Sequence, residues 1–193
     1  MRVTCCSCLH KGANGHPADD ATPGWREAWA RVPDPKLCLG DMAELWQFRR
    51  DQIPAWVGTD VDGNHDRGLS GKSVIRVGDT FFLHGRQFDS WPIRLLGRPV
   101  AWLVGRLEWV WPDADLRLAD WFMRTFEGGR HGRKERYARA AARYARWRGA
   151  RQIVMGHLHR RFDTVVDGVR VVCVGCCCNG RLDFVEVEVR TDS

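Results

Sequence analysis

The sequence lacks a long apolar run. Its most apolar stretch, within residues 91–111, is interrupted by Arg94, Arg98, Arg106 and Glu108. A helix that crosses a membrane needs about 20 consecutive apolar residues. The sequence therefore predicts no membrane-spanning helix.

No secretory signal peptide is recognisable at the N-terminus. The first residues, 1–6, are too few and too polar for the apolar segment of such a peptide. Eight cysteines would suggest a disulfide framework in a small secreted chain, but 193 residues can form a core without disulfides. We therefore expect a cytoplasmic protein with reduced cysteines, and four of them buried as small apolar residues on strands: Cys5, Cys6, Cys173 and Cys176.

Acidic residues are fewer than basic ones. The 24 Asp and Glu against 30 Lys and Arg give a formal net charge of +6. This charge favours anionic partners, and phosphorylated metabolites, nucleic acid and anionic lipid headgroups all fit it. With 44% hydrophobic and 28% charged residues, the composition is that of a folded chain. The length fits one domain, residues 1–193, with an inserted cap.

Short apolar runs, each followed by a glycine turn or a polar residue, recur along the chain. They predict strands at 2–8, 36–39, 73–77, 80–83, 152–155, 161–166, 169–174 and 182–189. The strands at 73–77 and 80–83 should form a hairpin. Helices are predicted at 25–30, 42–50 and 134–148, and a loop at 128–132. The order strand, turn, polar residue, helix is typical of an α/β fold, in which functional groups collect at the carboxyl ends of strands.

Residues from about 91 to 130 differ in composition from the rest of the chain. Five tryptophans lie there among aliphatic residues and arginines, and three prolines divide the stretch into short segments: Trp91, Trp102, Trp109, Trp111, Trp121, Pro92, Pro99 and Pro112. We interpret this stretch as a small helical cap inserted into the α/β frame. Its tryptophans would form the core of the cap, and a lipid or nucleobase pocket is the alternative.

Metal-binding side chains follow five of the apolar runs. They are Asp41, Asn64, His10, His84, His157 and His159. Two divalent ions about 3.5 to 4 Å apart can clamp the attacking and leaving oxygens of a displacement at phosphorus, and such a pair uses a bridging carboxylate with several neutral ligands. The residue types therefore predict a two-metal hydrolytic centre. A helix N-cap at Asp41 and a plain turn at Gly63-Asn64 are the alternatives.

These blocks, in this order, resemble the calcineurin-like metallophosphoesterase superfamily. The pattern of that family is Asp-x-His, Gly-Asp-x-x-(Asp/Glu), Gly-Asn-His-(Asp/Glu), His, and Gly-x-His. The matching residues here are Cys8-Leu9-His10, Gly40-Asp41-Met42-Ala43-Glu44, Gly63-Asn64-His65-Asp66, His84-Gly85 and Gly156-His157-Leu158-His159. One block alone is a weak indication. All five blocks in order are a strong one, and together they extend from residue 8 to residue 159.

The resemblance implies a fold and a ligand set. The fold would be an αββα four-layer sandwich with the small helical cap inserted. The metal ligands would be Cys8, His10, Asp41, Asn64, His84, His157 and His159. Asp41 would bridge the two ions, and position 8 would bind the first ion together with His10 and His159. The remaining three ligands would bind the second ion.

The resemblance also implies catalytic and substrate-binding residues. His65 would lie over the phosphate, where it stabilises charge or protonates the leaving group, with Asp66 orienting its ring. The nucleophile would be a metal-bound hydroxide at the centre built on Asp41. Asn64 and His65 would contact the substrate. Arg86 stands where the family often has Asp or His, and it would either contact a phosphate as a fixed cation or lie on the surface.

Cys8 replaces the first aspartate of the family pattern. A thiolate is a soft ligand that suits zinc or iron and suits magnesium or manganese poorly. We expect two divalent metal ions, with manganese as the first expectation and zinc or iron favoured by Cys8. The run Cys176-Cys177-Cys178 matches no standard zinc-binding spacing.

Two runs, 40–46 and 84–89, are similar to the branch of the superfamily that contains UDP-2,3-diacylglucosamine diphosphatase. Enzymes of that branch hydrolyse a lipid-linked nucleotide diphosphate and carry a helical cap for acyl chains. The resemblance therefore implies a metal-dependent phosphohydrolase of a phosphoester or pyrophosphate bond. A nucleotide-linked lipid or sugar pyrophosphatase is the most specific hypothesis, and the cap could then contact a membrane surface peripherally.

Two other functions fit the same scaffold. One is a nuclease or cyclic-nucleotide phosphodiesterase, with the arginine-rich helix at 134–148 as the substrate track, although nucleic acid is less favoured than a phosphorylated small molecule or lipid. The other is a degenerate metal-binding regulatory module without catalysis, which the cysteine at position 8 would allow.

Overall fold

The computed structural model describes residues 1–10, 22–43, 45, 49–91, 95, 99, 129–178 and 180–191. Within these residues the chain forms eight strands and two α-helices. Their bounds are β1 Arg2–Cys6, α1 Trp25–Ala30, β2 Lys36–Cys38, β3 Val74–Val77, β4 Thr80–Leu83, α2 Gly129–Trp147, β5 Gln152–Met155, β6 Arg161–Val166, β7 Val169–Val174 and β8 Val185–Glu188. Two short 3₁₀ turns lie at Arg50–Gln52 and Arg86–Phe88.

The strands form two mixed sheets. In the three-stranded sheet, of order β2-β1-β8, β1 pairs with β2 in parallel and with β8 antiparallel. In the five-stranded sheet, of order β3-β4-β5-β7-β6, the three central strands are parallel to one another and both edge strands are antiparallel. Parallel strands joined through a helix are the arrangement that an α/β sequence pattern predicts.

The two sheets pack face to face. Side chains alternate along each central strand, as the two-residue repeat of a strand requires. In β5, Val154 points towards the other sheet, whereas Ile153 and Met155 point towards α2. The core between the sheets is built largely of valines from both of them: Val3, Val61, Val154, Val172, Val174, Val185, Val187 and Val189.

A helix covers the outer face of each sheet. On the five-stranded sheet, α2 packs through a row of alanines, Ala138, Ala141, Ala142 and Ala145, whose small side chains allow close approach. On the three-stranded sheet, Trp25 of α1 is buried beside Cys6 and Cys38 and stacks on Trp29 and Trp56. The order helix, sheet, sheet, helix is the αββα sandwich.

The predicted hairpin is confirmed, and β5, β6, β7 and α1 have the predicted bounds. The predicted loop at 128–132 is wrong from residue 129 onward, because α2 begins at Gly129. Each glycine costs a helix only about 1 kcal/mol, and the alanine face of α2 gives the helix a large packing surface. Cys176 follows β7 instead of lying on a strand, and all eight cysteines are buried free thiols.

The predicted helix at 42–50 is wrong at the residues that the structure describes there. Met42, Leu45 and Arg49 are not helical. The amide of Met42 donates to Asp66 (2.7 Å), and the amide of Leu45 donates to the carbonyl of His65 (3.0 Å). A helix that starts at Met42 would pair the amide of Leu45 with the carbonyl of Asp41. Here that amide is used by His65, and the carbonyl of Asp41 accepts the amide of His10 (2.9 Å).

The predicted cap, at about 91–130, lies almost entirely outside the described residues. No helix in the described part of the chain is long and apolar enough to cross a membrane.

Candidate metal centre

The candidate ligands converge because the strands that carry them are parallel. His84 directly follows β4, and His157 lies two residues after β5, whose last residue pairs with the last residue of β4. In the other sheet, Cys8 and Asp41 follow the parallel strands β1 and β2. Asn64 comes from the loop before β3. The carboxyl ends of both parallel pairs therefore meet at one end of the sandwich.

Five candidate ligands have a left-handed backbone. The φ angles are 58° at Cys8, 53° at His10, 55° at Asp41, 71° at His157 and 52° at His159. Residues other than glycine seldom adopt this conformation, and it concentrates at functional sites. Among the described non-glycine residues, the one other with such a backbone lies in the β6–β7 turn. The chain thus holds unfavourable conformations to direct these side chains to one place.

Asp41 lies at the centre of the cluster. Its carboxylate is buried, with one oxygen 3.0 Å from Nε2 of His84 and the other accepting the amide proton of His65 at 2.9 Å. Burial alone would raise the pKa of Asp41, but His84 and His65 hold it well below its usual value. The centre therefore contains a buried, ionised carboxylate.

His84 directs one ring nitrogen into the centre. Its Nδ1 lies 2.7 Å from the carbonyl oxygen of Leu39, and a carbonyl can only accept, so Nδ1 carries the proton. Nε2 then lies 3.0 Å from the Asp41 carboxylate, 3.1 Å from Oδ1 of Asn64 and 3.1 Å from Nδ1 of His157. These neighbours are all able to offer lone pairs.

His157 faces the same point. Its Nε2 lies 2.8 Å from the carboxylate of Asp89, so Nε2 donates and Nδ1 keeps its lone pair. Burial lowers the pKa of His157 below its ordinary value although Asp89 opposes this, and a neutral imidazole is the form that binds metals.

A cation would stabilise the point where these lone pairs converge. A proton on His84 can serve, because the Asp41 charge outweighs burial and raises the pKa of His84. The donor set, one carboxylate, one amide oxygen and two imidazoles, also fits a divalent ion. The residues present therefore match the second of the two predicted metal sites.

The first predicted site contains Cys8, His10 and His159. The ring nitrogens Nε2 of the two histidines are 3.0 Å apart, and the ligand atoms of all three residues lie within 4.8 Å of one another. His10 is buried, whereas His159 lies at the exposed rim. Sγ of Cys8 is buried, 3.1 Å from Oγ of Ser7 and 3.3 Å from the amide of His157, which donates to it.

The thiol of Cys8 sets the character of this site. Burial and the nearby charge of Asp41 raise the pKa of the Cys8 thiol well above its usual value. A bound cation deprotonates such a thiol. The set of one sulfur, two imidazoles and a carboxylate suits zinc or iron(II).

Two glycines leave space for side chains of the cluster, Gly63 for Asp41 and Gly156 for Ser7, which contacts Cys8. A Cβ on Gly63 would lie 2.1 Å from Oδ1 of Asp41, and a Cβ on Gly156 would lie 2.0 Å from Oγ of Ser7. Real Cβ atoms do not approach other atoms so closely, so any side chain would displace the neighbour. The glycines of the sequence motifs therefore act by their lack of a side chain.

The predicted catalytic and substrate-binding residues lie around this cluster. The ring of His65 is partly exposed, 4.8 Å from the ring of His10 and edge-on to it. The two oxygens of Asp66 accept the amide protons of Met42 and Gly63, each at 2.7 Å. Asp66 thus ties its own loop to the Asp41 loop, and its role in orienting His65 stays a prediction. Arg86 begins a 3₁₀ turn and is partly exposed.

The sequence analysis missed three residues that contact the cluster. Ser7 touches Cys8, Asp89 touches His157, and Tyr137 touches Asp89. The polar residue before Cys8 could have been noticed in the sequence. Asp89 ends the run at 84–89 but was given no role there, and Tyr137, 48 residues further on, belongs to no motif.

No protein-family model and no curated protein sequence matches this chain. Solved structures do resemble it. A single-mutant form of Vps29 from Entamoeba histolytica is 17% identical with a TM-score of 0.50, over 98% of this chain and 86% of that chain. A double-mutant form of the same protein is 15% identical with a TM-score of 0.50, over 99% and 87%. A conserved uncharacterized protein from Streptococcus pneumoniae, described as a predicted phosphoesterase, is 17% identical with a TM-score of 0.45, over 97% and 83%.

At these identities the likeness to the two forms of Vps29 establishes the fold alone. The similarity to the branch containing UDP-2,3-diacylglucosamine diphosphatase stays a prediction from the sequence. The chain has the α/β fold of the calcineurin-like metallophosphoesterases.

Proposed function

We propose that this protein is a metal-dependent phosphohydrolase that cleaves a phosphoester or pyrophosphate bond. The observation that carries the proposal is the convergence of lone pairs from the buried carboxylate of Asp41, from Asn64 and from His157 on Nε2 of His84. Buried polar atoms arranged in this way are costly unless a cation lies among them.

The residues divide into two ligand groups that share Asp41. Asn64, His84 and His157 would hold one divalent ion, and Cys8, His10 and His159 the other. When bound, such ions lower the pKa of a coordinated water and polarise a phosphoryl oxygen. We propose zinc or iron at the group that contains sulfur, and manganese or zinc at the group without it.

The surrounding residues suit an anionic substrate. Asp41 is the single carboxylate among the seven predicted ligands, so the ligand groups add little negative charge. His65 lies at the partly exposed side of the cluster, where its ring can donate a proton to the oxygen of a leaving group. Arg86, partly exposed beside His84, adds a fixed positive charge.

Hydrolysis of bis(p-nitrophenyl) phosphate, with Mn²⁺ or Zn²⁺ added, tests the proposal. Replacing His65 by alanine should lower the rate about 100-fold or more, since loss of a general acid costs about 10² to 10⁴, and Asn64→Ala should weaken metal binding. Glu135→Gln, at an exposed position of α2, is the control and should keep the activity. Full activity after both site substitutions would overturn the mechanism.

For the substrate, we propose a nucleotide-linked lipid or sugar pyrophosphate. The net charge of +6 and the sequence resemblance support it. Release of a nucleoside monophosphate from a UDP-sugar or UDP-lipid is the expected product. Cleavage of single-stranded DNA in its place, with affinity falling steeply as salt rises, would favour the nuclease alternative.

A non-catalytic metal-binding module is the second candidate. Cys8 favours it, because a buried thiol stands where the family pattern has a carboxylate. Metal analysis of the purified protein separates the two functions when it is combined with the hydrolysis assay. Two equivalents of metal with hydrolysis support the enzyme, and one equivalent without hydrolysis supports the module.

A further inference from the structure

A buried carboxylate lies directly behind the candidate ligand His157. Asp89 closes the 3₁₀ turn that follows β4, and it is 9% exposed. Tyr137, from the middle of α2, is fully buried beside it. Asp89 ends the run at 84–89, and neither residue was among the predicted site residues.

The three side chains form a connected chain of hydrogen bonds. Nε2 of His157 donates to Oδ1 of Asp89 at 2.8 Å, and the hydroxyl of Tyr137 donates to the same oxygen. The rings of Tyr137 and His157 lie 5.9 Å apart, centroid to centroid, at an angle of 34°. One carboxylate oxygen therefore fixes two aromatic side chains that also pack against each other.

The helix that carries Tyr137 is anchored at this point. Nη1 of Arg136 donates to the carbonyl of Phe88 at 3.1 Å, next to Asp89 in the chain. The guanidinium of Arg136 lies 4.8 Å from the centre of the Tyr137 ring. The position of the Tyr137 hydroxyl is thus set by α2 and by the 3₁₀ turn together.

The direction of each proton follows from what each group can do. A carboxylate oxygen accepts hydrogen bonds, so Nε2 of His157 carries the ring proton and the Tyr137 hydroxyl donates its hydrogen bond to Asp89. Nδ1 of His157 then has a lone pair, and it faces Nε2 of His84 at 3.1 Å. The alternative tautomer would place a proton where the ion should bind.

We propose that Asp89 and Tyr137 are positioning residues that fix the tautomer and orientation of His157 as a ligand of the second metal ion. This inference rests on the proposed function for the presence of that ion. Hydrogen-bond partners behind a ligating histidine contribute about 10- to 100-fold to metal affinity. Asp89 should contribute most of this gain in metal affinity, because it contacts His157 directly. Tyr137 should contribute a smaller part, because it acts through Asp89.

Zn²⁺ titration of the full-length protein by calorimetry tests the inference, together with Co²⁺ absorption spectra. Asp89→Ala should weaken binding at one of two sites by about 10- to 100-fold. Asp89→Asn keeps an acceptor oxygen, so its Zn²⁺ affinity should fall by less. In Tyr137→Phe the affinity should fall only a few-fold. Asp163→Ala is the matched control, since Asp163 is half-exposed and pairs with Arg170 instead.

A second readout needs no metal. The ¹⁵N shifts of the His157 ring in the ion-free protein should show the Nε2–H tautomer in the wild type and a mixture in Asp89→Ala. If the wild type binds two ions, and neither affinity nor tautomer changes in Asp89→Ala and Tyr137→Phe, the inference is overturned. If the tautomer changes but the wild type binds no metal, the positioning of His157 is supported and the proposed function fails. Should Asp89→Ala not fold, Tyr137→Phe decides.

Discussion

Cys8 decides which metal the first ligand group prefers. Its sulfur is buried and lies among imidazoles, and burial together with the charge of Asp41 raises its pKa. A hard cation such as Mn²⁺ gains little from sulfur, whereas Zn²⁺ binds thiolate strongly. The ratio of Zn²⁺ to Mn²⁺ affinity should therefore depend on this one atom.

Cys8→Asp should shift metal preference towards manganese, and Cys8→Ser should weaken zinc binding about tenfold or more. Competition titrations with Mn²⁺ and Zn²⁺ measure both effects. Cys5→Ser is the matched control, because Cys5 is equally buried on β1 but faces the core between the sheets. An unchanged affinity ratio in Cys8→Asp would show that position 8 does not bind metal.

Gly63 offers a test of how tightly the centre is built. In Gly63→Ala the new Cβ would lie 2.1 Å from Oδ1 of Asp41 and 2.5 Å from its amide. Overpacking of this kind costs about 1 to 3 kcal/mol of the free energy of unfolding, and it should also displace Asp41 and weaken metal binding. Chemical denaturation and metal titration measure the two effects.

Gly58→Ala is the control for this substitution. A Cβ on Gly58 would meet no atom within 4 Å, and its φ is not in the left-handed region. The free energy of unfolding of Gly58→Ala should differ from that of the wild type by no more than about 0.5 kcal/mol. If both alanine variants bind metal as the wild type does, the loop of Gly63 is more adaptable than the structure indicates.

At the residue scale, the sequence predicted side chains that follow strands and missed those that meet only in the fold. Asp41 and His84 end apolar runs beside glycines, so their position at a sheet edge could be foreseen. Asp89 meets His157 from 68 positions away in the chain. No local pattern records such a contact, because it depends on how the 3₁₀ turn after β4 lies beside the loop after β5.

At the scale of elements, the loop after Asp62 is organised by one carboxylate. Asp62 accepts the amides of Gly68 (2.8 Å), Ser70 (2.7 Å) and Gly71 (3.2 Å). Burial acts to raise its pKa, but these donors outweigh it and lower the pKa below the ordinary value. The loop holds Asn64 and His65, so Asp62 supports the centre from outside it.

This pKa shift gives Asp62 a pH-dependent effect on stability. An unfolded Asp titrates near pH 3.9, and the folded pKa is lower, so the stabilisation is present above about pH 4 and is lost as pH falls through the folded pKa. Asp62→Asn should cost about 1 to 2 kcal/mol at pH 7, and the difference from wild type should shrink at pH 3. Urea unfolding at both pH values measures it.

Asp51→Asn is the control for Asp62. Asp51 is exposed and pairs with Arg49 at 3.3 Å, an arrangement worth little at a surface. Its substitution should leave the free energy of unfolding nearly unchanged at both pH values. A constant difference between wild type and Asp62→Asn from pH 7 to pH 3 would contradict the charge-based explanation.

The elements predicted well are those with strong local patterns. The residues of β5, β6 and β7 are either alternately apolar and polar or continuously apolar, and polar turns bound them. Their β-branched residues favour strands. The stretch at 42–50 has helical composition, but the amide of Leu45 donates to His65 across the loop and the carbonyl of Asp41 accepts the amide of His10. Tertiary hydrogen bonds thus overrode local preference, and they did so at the candidate site, where such conflicts are expected.

At the scale of the whole molecule, the ligand set connects the two sheets. Cys8, His10 and Asp41 follow strands of the three-stranded sheet, and His84 and His157 follow strands of the five-stranded sheet. Besides the valine-rich core, the sheets are joined by polar groups at this ligand cluster and by a hydrogen bond from Gln152 to the carbonyl of Glu188 (3.0 Å). An ion held by both sheets binds only the folded chain, so it should oppose their separation during unfolding.

Metal should therefore raise the melting temperature, and chelation should lower it. At a free Zn²⁺ concentration of 100 times Kd, one ion that binds only the folded state adds about 2.7 kcal/mol. For a chain of this size that corresponds to roughly 5 to 10 °C. Thermal unfolding with Zn²⁺ and with EDTA, followed by circular dichroism, measures the shift. Asp41→Asn, which removes the carboxylate shared by both ligand groups, should abolish most of it. An equal shift in that variant would place the binding site elsewhere, since the ion could then not depend on the carboxylate at the junction of the sheets.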